Sequence, residues 1–215
     1  MIVTEDGSSS IYVPELNEHY HSVHGAIQES QHVFIKNGLQ QIKNSPIRVL
    51  EAGFGTGLNA MLSLVYAENS KQQVIFHSIE KYPLNPTEIE HLNYSIFFPE
   101  TKSALHALHD AEWGTETVIT PYFSLHKQQG DFKDVTLQKD YFDIVFYDAF
   151  NPDVQPDLWT EETLGNFCRA LKKDGLLVTY CVKGIVKQAM RNLGFRIERL
   201  PGPPGKHQML RATKI

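Results

Sequence analysis

Cysteine is almost absent from this sequence, which has only Cys168 and Cys181 among its 215 residues. Two cysteines cannot build a disulfide framework or a cysteine zinc site, and their scarcity indicates a reducing cytoplasm. Long apolar runs are also missing, because no stretch approaches the roughly 20 residues that span a bilayer. The N-terminal segment is polar and does not read as a signal peptide. We therefore expect a cytoplasmic protein without a membrane partner.

Basic residues are fewer than acidic ones, which gives a net charge of −5, but the two kinds of charge are unevenly distributed along the chain. The segment 181–215 contains eight Lys and Arg residues and a single acid, Glu198, so it carries +7 and residues 1–180 carry −12. Such segregation favours an anionic partner at the C-terminal end. A solvated basic helix and hairpin would explain the charge alone equally well.

The most informative stretch is Gly53-Phe-Gly55-Thr-Gly57, which follows the apolar run 47–52 and precedes an apolar segment that reads as helix. A strand, a glycine loop and a helix in this order bring backbone N–H groups against a ligand. The dinucleotide fingerprint is G-x-G-x-x-G. The spacing G-x-G-x-G, preceded by Glu51, instead resembles the first motif of S-adenosylmethionine-dependent methyltransferases. A glycine-rich turn without a ligand is the alternative.

Strand and helix signals alternate along the chain and predict an α/β fold with a mostly parallel sheet. Strands are predicted at 47–52, 74–79, 118–126, 142–147, 176–180, 195–200 and 209–212. Helices are predicted at 24–41, after the glycine loop, at 84–113 in two pieces, from Thr160 to a stop at Asp174-Gly175, and at 184–193. The closing strand–turn–strand indicates an antiparallel edge. We expect an N-terminal extension at 1–45, with a strand or hairpin and a helix, packed on a domain at 46–215.

Four acids lie at the ends of predicted strands, namely Glu51, Glu80, Asp131 and Asp148. Ligands of a doubly wound sheet bind at the carboxyl ends of its strands. Glu80 suits the ribose diol, Asp131 after Gly130 suits the adenine amino group, and Glu51 suits the region of the methionine amino group. A single strand-end acid is usually a turn or cap residue, but four after a glycine loop favour a binding site.

The stretch Asp148-Ala-Phe150-Asn-Pro152 resembles, in altered order, the loops by which amine methyltransferases hold a nitrogen beside a sulfonium methyl. That chemistry needs an acceptor that orients the amine and takes its proton, and a ring that restrains the substrate. The alternative is a strand-to-helix turn in which Asp148 caps backbone N–H groups.

Histidines occur in two groups, His19, His21 and His24, and His106 with His109. Neither group lies near a cysteine or follows a zinc spacing, so we expect no metal.

Several further stretches carry a more specific resemblance. They are Tyr20-His-Ser22, Gly25-Ala, Glu29-Ser, Val33-Phe34, the run from Glu51 to Asn59, Ile79-Glu-Lys81-Tyr-Pro-Leu84, Gly130-Asp131, Asp148 to Pro152, Pro156-Asp-Leu-Trp159, and Gly202-Pro-Pro-Gly-Lys206-His-Gln-Met209. Together they resemble, nearly from end to end, the MnmC-type methyltransferase family, whose members complete 5-methylaminomethyl-2-thiouridine at the wobble position of bacterial tRNA.

The resemblance implies a Rossmann-like class I methyltransferase fold, with a mostly parallel sheet and an antiparallel C-terminal strand. It implies S-adenosyl-L-methionine as cofactor, the tRNA anticodon loop as partner, and the exocyclic amine of 5-aminomethyl-2-thiouridine as acceptor. The implied catalytic residues are Asp148 and Phe150. The implied cofactor-binding residues are Glu29, Glu51, Gly53, Gly55, Gly57, Asn59, Glu80, Lys81, Gly130 and Asp131. The implied substrate and tRNA contacts are Trp159, Lys183, Lys206 and His207.

Two features depart from the family pattern. Ala149 stands where the family usually has glycine, and nothing in this chain corresponds to the FAD-dependent domain of the bifunctional enzymes, which indicates a stand-alone form. An aminopropyltransferase such as spermidine synthase, or another small-amine N-methyltransferase, is the alternative on the same fold. The aminopropyltransferase alternative lacks support, because the run of glycines and aspartates that is typical of aminopropyltransferases is missing from this sequence. A non-enzymatic module would need a lost catalytic acid, whereas Asp148 is present.

Overall fold

The computed structural model describes residues 1–101 and 103–215, with the backbone only at position 100. Its strands are β1 Ile2–Val3, β2 Ser9–Ser10, β3 Tyr12–Val13, β4 Glu18–His19, β5 Ile47–Ala52, β6 Val74–Glu80, β7 Glu116–Thr120, β8 Phe123–Gln129, β9 Phe142–Tyr147, β10 Leu171–Thr179, β11 Phe195–Pro201 and β12 Gln208–Lys214. Its α-helices are α1 Ala26–Ser30, α2 Leu58–Ser70, α3 Pro86–Glu90, α4 Ala104–Asp110, α5 Glu161–Ala170 and α6 Gly184–Asn192.

Eight strands form the main sheet in the order β11-β12-β10-β9-β5-β6-β8-β7. The five from β10 to β8 are parallel, which confirms the predicted class. All six residues of β9 are buried. A parallel strand covered on both faces has to be apolar nearly throughout, which explains the run Phe142–Tyr147. Residues of β5 alternate between two buried clusters, one on each face of the sheet, with Val49 in the first and Leu50 in the second.

Both edges of the sheet contain antiparallel pairs. The C-terminal strand β12 is antiparallel, as predicted, and lies between β10 and β11. At the opposite edge, β7 pairs antiparallel with β8. The single strand predicted at 118–126 was therefore wrong, because that segment contains a hairpin that turns at Pro121-Tyr122.

Helix α5 begins as predicted, because the Thr160 hydroxyl accepts the Thr163 N–H at 3.2 Å. The predicted stop at Asp174-Gly175 was wrong. The helix ends at Ala170, and Asp174, with φ 62°, lies where the register of β10 against β9 shifts. Turn residues can produce such an irregularity inside a strand as readily as they end a helix.

The segment predicted as two helical pieces contains α3 and α4 with two 3-10 turns between them, Tyr94–Ile96 and Pro99–Thr101. A capping box opens α3, since the Asn85 side chain accepts the Glu88 N–H and the Glu88 side chain accepts the Asn85 N–H. Among the described residues, none of the helices combines the length and apolar character that crossing a membrane requires.

The N-terminal residues contribute to the main core. Two short antiparallel ladders, β1 with β2 and β3 with β4, precede α1 and a π-helix at Gln31–Lys36. Phe34 of the π-helix packs against Phe146 of β9, with ring centroids 5.2 Å apart. The Tyr94 hydroxyl donates to the Ser9 carbonyl at 3.0 Å. The segment between these ladders and α1 lies beside the ends of β5 and β6, because Tyr20 and His21 line one cavity with Gly53 and Glu80.

Candidate active site

A cavity of about 1180 Å³ lies at the carboxyl ends of β5, β6 and β9. The predicted site residues that line it are Glu29, Gly53, Gly55, Asn59, Glu80, Lys81, Asp131, Asp148, Phe150 and Lys206. The predicted residues that do not line it are Glu51, Gly57, Gly130, Trp159, Lys183 and His207. The N-terminal segment 13–23, the loop after β9, and Tyr180 form the remaining walls.

The glycine loop between β5 and α2 follows one side of the cavity. Gly53 has φ 95° and Gly55 has φ 50°. A Cβ at Gly53 would lie 3.1 Å from the Asp148 carbonyl oxygen, and one at Gly55 would lie 2.8 Å from the Tyr20 ring. Glycine is required at Gly55 both by its backbone angle and by this close approach.

Glu80 at the end of β6 ties this loop to the neighbouring strand. One carboxylate oxygen accepts the Gly55 N–H at 2.9 Å, and the other accepts the Tyr82 N–H at 2.8 Å. Burial raises the pKa of Glu80, although the backbone donors oppose the shift. A carboxylate offers about four lone-pair sites, so beside these backbone donors the side chain can still accept a hydrogen bond from the cavity.

Asp131 lies beyond Glu80 along the same wall. Burial acts to raise its pKa, but hydrogen bonds from the Lys81 ammonium at 2.9 Å and the Lys133 N–H at 3.0 Å hold the pKa below its usual value. Asp131 is therefore a carboxylate at neutral pH, and Lys81 is bound to it. Gly130 contributes its backbone, because its N–H donates to the Glu80 carbonyl at 3.0 Å.

Glu51 is buried beside the loop with 1% of its surface exposed. The Ser78 hydroxyl donates to its Oε2 at 2.6 Å, and its Oε1 has no hydrogen-bond partner among the described residues. Burial raises the pKa of Glu51 well above its usual value, and the charges of Asp148 and Glu80 act in the same direction. Glu51 is not among the residues that line the cavity, and its assignment to the methionine amino group stays a prediction.

Asp148 follows β9 and faces the cavity. The Asn59 amide donates to its Oδ2 at 2.8 Å, whereas the Asn59 Oδ1 has no partner in the described part of the chain. Burial raises the pKa of Asp148 to about 7, and the charge of Glu29 adds to the shift. The Asn59 hydrogen bond and the Lys206 charge act against it. Asp148 is therefore near its midpoint at neutral pH and can both take up and release a proton.

A half-buried ion pair lines the same cavity as Asp148. The Lys206 ammonium bonds to Glu29 Oε1 and lies over the Tyr180 ring, 4.2 Å from its centroid. The Ser22 N–H donates to the second Glu29 oxygen at 3.0 Å. These contacts join the N-terminal segment to the turn before β12 across the mouth of the cavity.

Comparisons with known proteins agree with this geometry. A family model described as S-adenosyl-L-methionine-dependent methyltransferase matches residues 103–215, more than half of the chain. The chain belongs to this methyltransferase family. The cofactor of the enzyme is therefore S-adenosyl-L-methionine, as predicted.

Two individual proteins confirm the MnmC-type resemblance of the methyltransferase. It is 31% identical over 230 residues to the tRNA 5-methylaminomethyl-2-thiouridine biosynthesis bifunctional protein MnmC of Azoarcus sp. (strain BH72), covering 98% of this chain but 35% of that protein. The crystal structure of MNMC2 from Aquifex aeolicus matches with TM-score 0.73 and 27% identity, covering 98% of this chain and 68% of that one. The CurJ carbon methyltransferase, 14% identical with TM-score 0.51 over 90% of this chain and 56% of its own, shares the fold alone.

The cavity of the methyltransferase fits its cofactor. Glycine at position 55 leaves backbone exposed where a side chain would collide with Tyr20, and Glu80 keeps acceptor capacity beside it. Acceptors of this kind suit a ribose diol, and the buried Asn59 Oδ1 has no hydrogen-bond partner within the described part of the chain. Within the described residues there is no group of three or more His, Cys, Asp or Glu side chains that could hold a metal.

Trp159 of the methyltransferase does not have the exposed ring that a stacked base requires. It is 2% exposed, packs against Tyr147 at 5.0 Å between ring centroids, and donates its indole N–H to the Phe150 carbonyl at 2.8 Å. The implied substrate contact of Trp159 is therefore not made by an exposed ring, and its indole instead holds the backbone of Phe150. The Phe150 ring faces the cavity with Tyr20 edge-on at 5.1 Å.

The basic C-terminal segment of the methyltransferase is partly neutralised. Four of its eight cations form ion pairs, namely Lys183 with Asp153, Lys206 with Glu29, Arg211 with Glu198, and Lys214 with Asp140. Lys187, Arg191, Arg196 and Arg199 have no ion-pair partner in the described part of the chain, and His207 is exposed. Lys206 was predicted to contact tRNA, but its ammonium is engaged inside the cavity.

Proposed function

We propose that the enzyme transfers the methyl group of S-adenosyl-L-methionine to the exocyclic amine of 5-aminomethyl-2-thiouridine at the wobble position of tRNA. The observation that supports this most strongly is Asp148, which lines the cavity and whose pKa is raised to about 7, in a chain that matches one MnmC relative over 98% of its length. The chain spans about a third of those curated relatives, so the activity named for them enters here as part of the proposal. The relatives do not favour an aminopropyltransferase.

The cofactor supplies an electrophilic methyl group on a sulfonium. Gly53, Gly55 and Glu80 would hold its methionine and ribose parts, and Asp131 its adenine. Gly57 and Lys81 would act indirectly, since the backbone of the first turns the chain into α2 and the ammonium of the second holds Asp131. These assignments follow from which groups face the cavity and which oxygens keep free lone pairs.

Asp148 would act on the substrate. A primary ammonium has no lone pair, so it must lose a proton before its nitrogen can attack a methyl group. Asp148 Oδ2 is held by Asn59, which leaves Oδ1 to bind the ammonium and accept the proton. Phe150 and Tyr20 would restrain the pyrimidine ring, because their rings meet at 69° and form an apolar corner beside the carboxyl.

The proposal is tested by incubating the enzyme with S-adenosyl-L-methionine and tRNA that carries the unmethylated aminomethyl nucleoside. Mass spectrometry of the digested nucleosides should find that nucleoside heavier by one methylene. Free 5-aminomethyluridine and spermidine precursors serve as competing acceptors. If small amines are methylated or aminopropylated while the tRNA nucleoside stays unchanged, the proposal fails.

The pH dependence of the reaction should respond to the ion pair of Lys206 and Glu29. Lys206→Met removes a charge that lowers the pKa of Asp148, so the acidic limb of kcat/KM should move to higher pH. Glu29→Gln removes a charge that raises this pKa, so the limb should move to lower pH. The measurement is kcat/KM for tRNA across the range around pH 7, with cofactor affinity as control. Shifts in the same direction, or none, would contradict the assignment of that limb to Asp148.

The tRNA would lie along the basic segment at the cavity edge. Strand β11 runs in the same direction as β10, so Arg199 lies level with Thr179 at the cavity end of β10, whereas Arg196 lies three residues further from that edge. Lys183 and Lys187, around the start of α6, share the cavity edge with Arg199, and exposed His207 lies in the adjoining turn. Phosphate contacts from such residues would supply much of the affinity.

Arg199→Glu is therefore expected to weaken tRNA binding about tenfold and to reduce the slope of log K against log salt by about 1. Arg196→Glu is the matched control, since it reverses the same charge on the same strand and should have little effect. Filter binding of tRNA over a salt series measures both. Equal effects of the two variants would show that the basic segment acts only through net charge.

A further inference from the structure

Lys127 on β8 is a buried cation that none of the contacts described above explains. Its residue is 1% exposed, and its ammonium donates to the His109 carbonyl at 2.6 Å. The rings of Trp113 and Phe54 lie 4.7 Å and 5.3 Å from the same nitrogen. Among the described residues no carboxylate lies within 4.0 Å of it. A buried ammonium without a counter-ion is costly, so its retention calls for a functional reason.

The partners of Lys127 favour its charged form. His109 lies in the last turn of α4, where carbonyl groups have no partner within the helix and the helix dipole attracts cations. Two aromatic faces add cation–π attraction. The ammonium therefore fixes the C-terminal end of α4 against β8.

The His109 side chain continues this connection to the glycine loop. Its Nε2 lies 3.0 Å from the Thr56 carbonyl oxygen. A carbonyl can only accept, so Nε2 carries the proton and donates. Burial lowers the pKa of His109 to about 4, and the ring is therefore neutral at physiological pH. Thr56 stands between Gly55 and Gly57, so this bond holds the centre of the loop.

Phe54, also in the loop, packs edge-on against the rings of His109 and Trp113. Lys127, His109 and Trp113 themselves do not line the cavity. They contact the loop, and the loop contacts the cavity.

We propose that Lys127 and His109 are positioning residues for S-adenosyl-L-methionine, which set cofactor affinity by holding the glycine loop without touching the cofactor. The inference rests on the cofactor alone and is independent of the acceptor substrate. Lys127 fixes the end of α4, and His109 transmits that position to Thr56.

The charge of Lys127 gives the proposal a distinctive pH dependence. Burial lowers the pKa of Lys127 to about 8, while Asp110 on α4 opposes the shift. The other titratable group facing it, His109, stays neutral over this range. The ammonium is present below about pH 8, so cofactor affinity should fall as the pH rises through this value. The free energy of unfolding should instead rise with pH between this pKa and the ordinary value of 10.5, because the unfolded chain binds more protons than the folded chain over that range.

The test measures the Kd of S-adenosyl-L-homocysteine by calorimetry. Lys127→Met and His109→Leu should each weaken binding about tenfold, as expected for the loss of a hydrogen bond that orders the loop. His109→Gln keeps an N–H donor for Thr56 and should recover most of the affinity. The double variant should be no worse than either single one, because the two side chains act in series.

Met190→Ala provides the control, since Met190 is fully buried on α6 and should lower the Tm without changing the Kd. Lys127→Arg keeps its charge and should remove the loss of affinity near pH 8 that the unmodified enzyme shows. The comparison of Lys127→Arg with the unmodified enzyme tests the proposal even if Lys127→Met does not fold. Variants that lower only the Tm, or wild-type and Lys127→Arg enzymes with the same pH dependence, would overturn the proposal.

Discussion

Asp148→Asn is expected to lower the rate of methyl transfer by about 10²–10⁴-fold while leaving cofactor affinity nearly unchanged. The amide can still accept the hydrogen bond from Asn59, so the geometry of the cavity should persist. It cannot accept a proton from the substrate ammonium, and the nitrogen then keeps no lone pair with which to attack. Single-turnover methylation of tRNA, combined with calorimetry of S-adenosyl-L-homocysteine, separates the two effects.

Asp148→Asn should not lower the stability of the folded protein. Asp148 has a pKa of about 7 in the folded protein against an ordinary value of 3.8, so the folded state binds more protons between these values and loses stability as the pH rises. At neutral pH the Asp148→Asn variant lacks this cost, and its Tm should equal or exceed that of the wild type. A low rate together with a low Tm would point to misfolding, and near-normal turnover would refute the catalytic role of Asp148.

The mostly parallel character of the sheet and one edge of the site followed from local sequence signals. Gly53, Gly55 and Glu80 were predictable because parallel strands bring their carboxyl ends to one edge, so residues that follow separate strands meet there. A buried parallel strand such as β9 also leaves an unmistakable apolar run. These signals depend only on neighbours in the chain.

The opposite wall of the site was not predictable in this way. Lys206 meets Glu29 across 177 positions, and no local periodicity specifies that contact. The resemblance implied Lys206 as a tRNA contact, and its local neighbours, glycine, proline and His207, give no sign of Glu29. Tyr20 and Tyr180 were likewise assigned no role, since an isolated tyrosine does not reveal whether it lines a cavity or the core.

Residues of the same chemical type also differ in whether their side chains are buried in the protein or face the cavity. Trp159 and Phe150 both follow β9, but Trp159 is packed on Tyr147 and only Phe150 faces the cavity. Glu51 and Glu80 both end strands, but Glu51 bonds to Ser78 beneath the loop. In each pair the difference arises from side-chain direction at a single position, which depends on how the loop is folded.

Replacing Glu80 with Ala is expected to weaken cofactor binding at least ten- to a hundredfold, or about 1.5–3 kcal/mol. The carboxylate would accept the ribose hydroxyls, and it also accepts the N–H groups of Gly55 and Tyr82. Glu80→Gln should be harmful too, because both carboxylate oxygens face backbone donors and the amide would turn an NH₂ group towards one of them. Glu90→Ala, which removes an exposed carboxylate on α3, is the control and should bind normally.

A double-mutant cycle separates the ribose contact from support of the loop. S-adenosyl-L-homocysteine and its 2′-deoxy and 3′-deoxy analogues are titrated into the wild type and into Glu80→Ala. If Glu80 binds the diol, a missing hydroxyl weakens binding to the wild type, because a buried carboxylate then loses a hydrogen-bond donor. The same missing hydroxyl should make little further difference to the affinity of Glu80→Ala. If Glu80 only supports the loop, each missing hydroxyl costs the same in both proteins, and the ribose assignment fails. A loss of affinity for all ligands with no coupling would then place Glu80 with His109 among the residues that position Gly55 and Thr56.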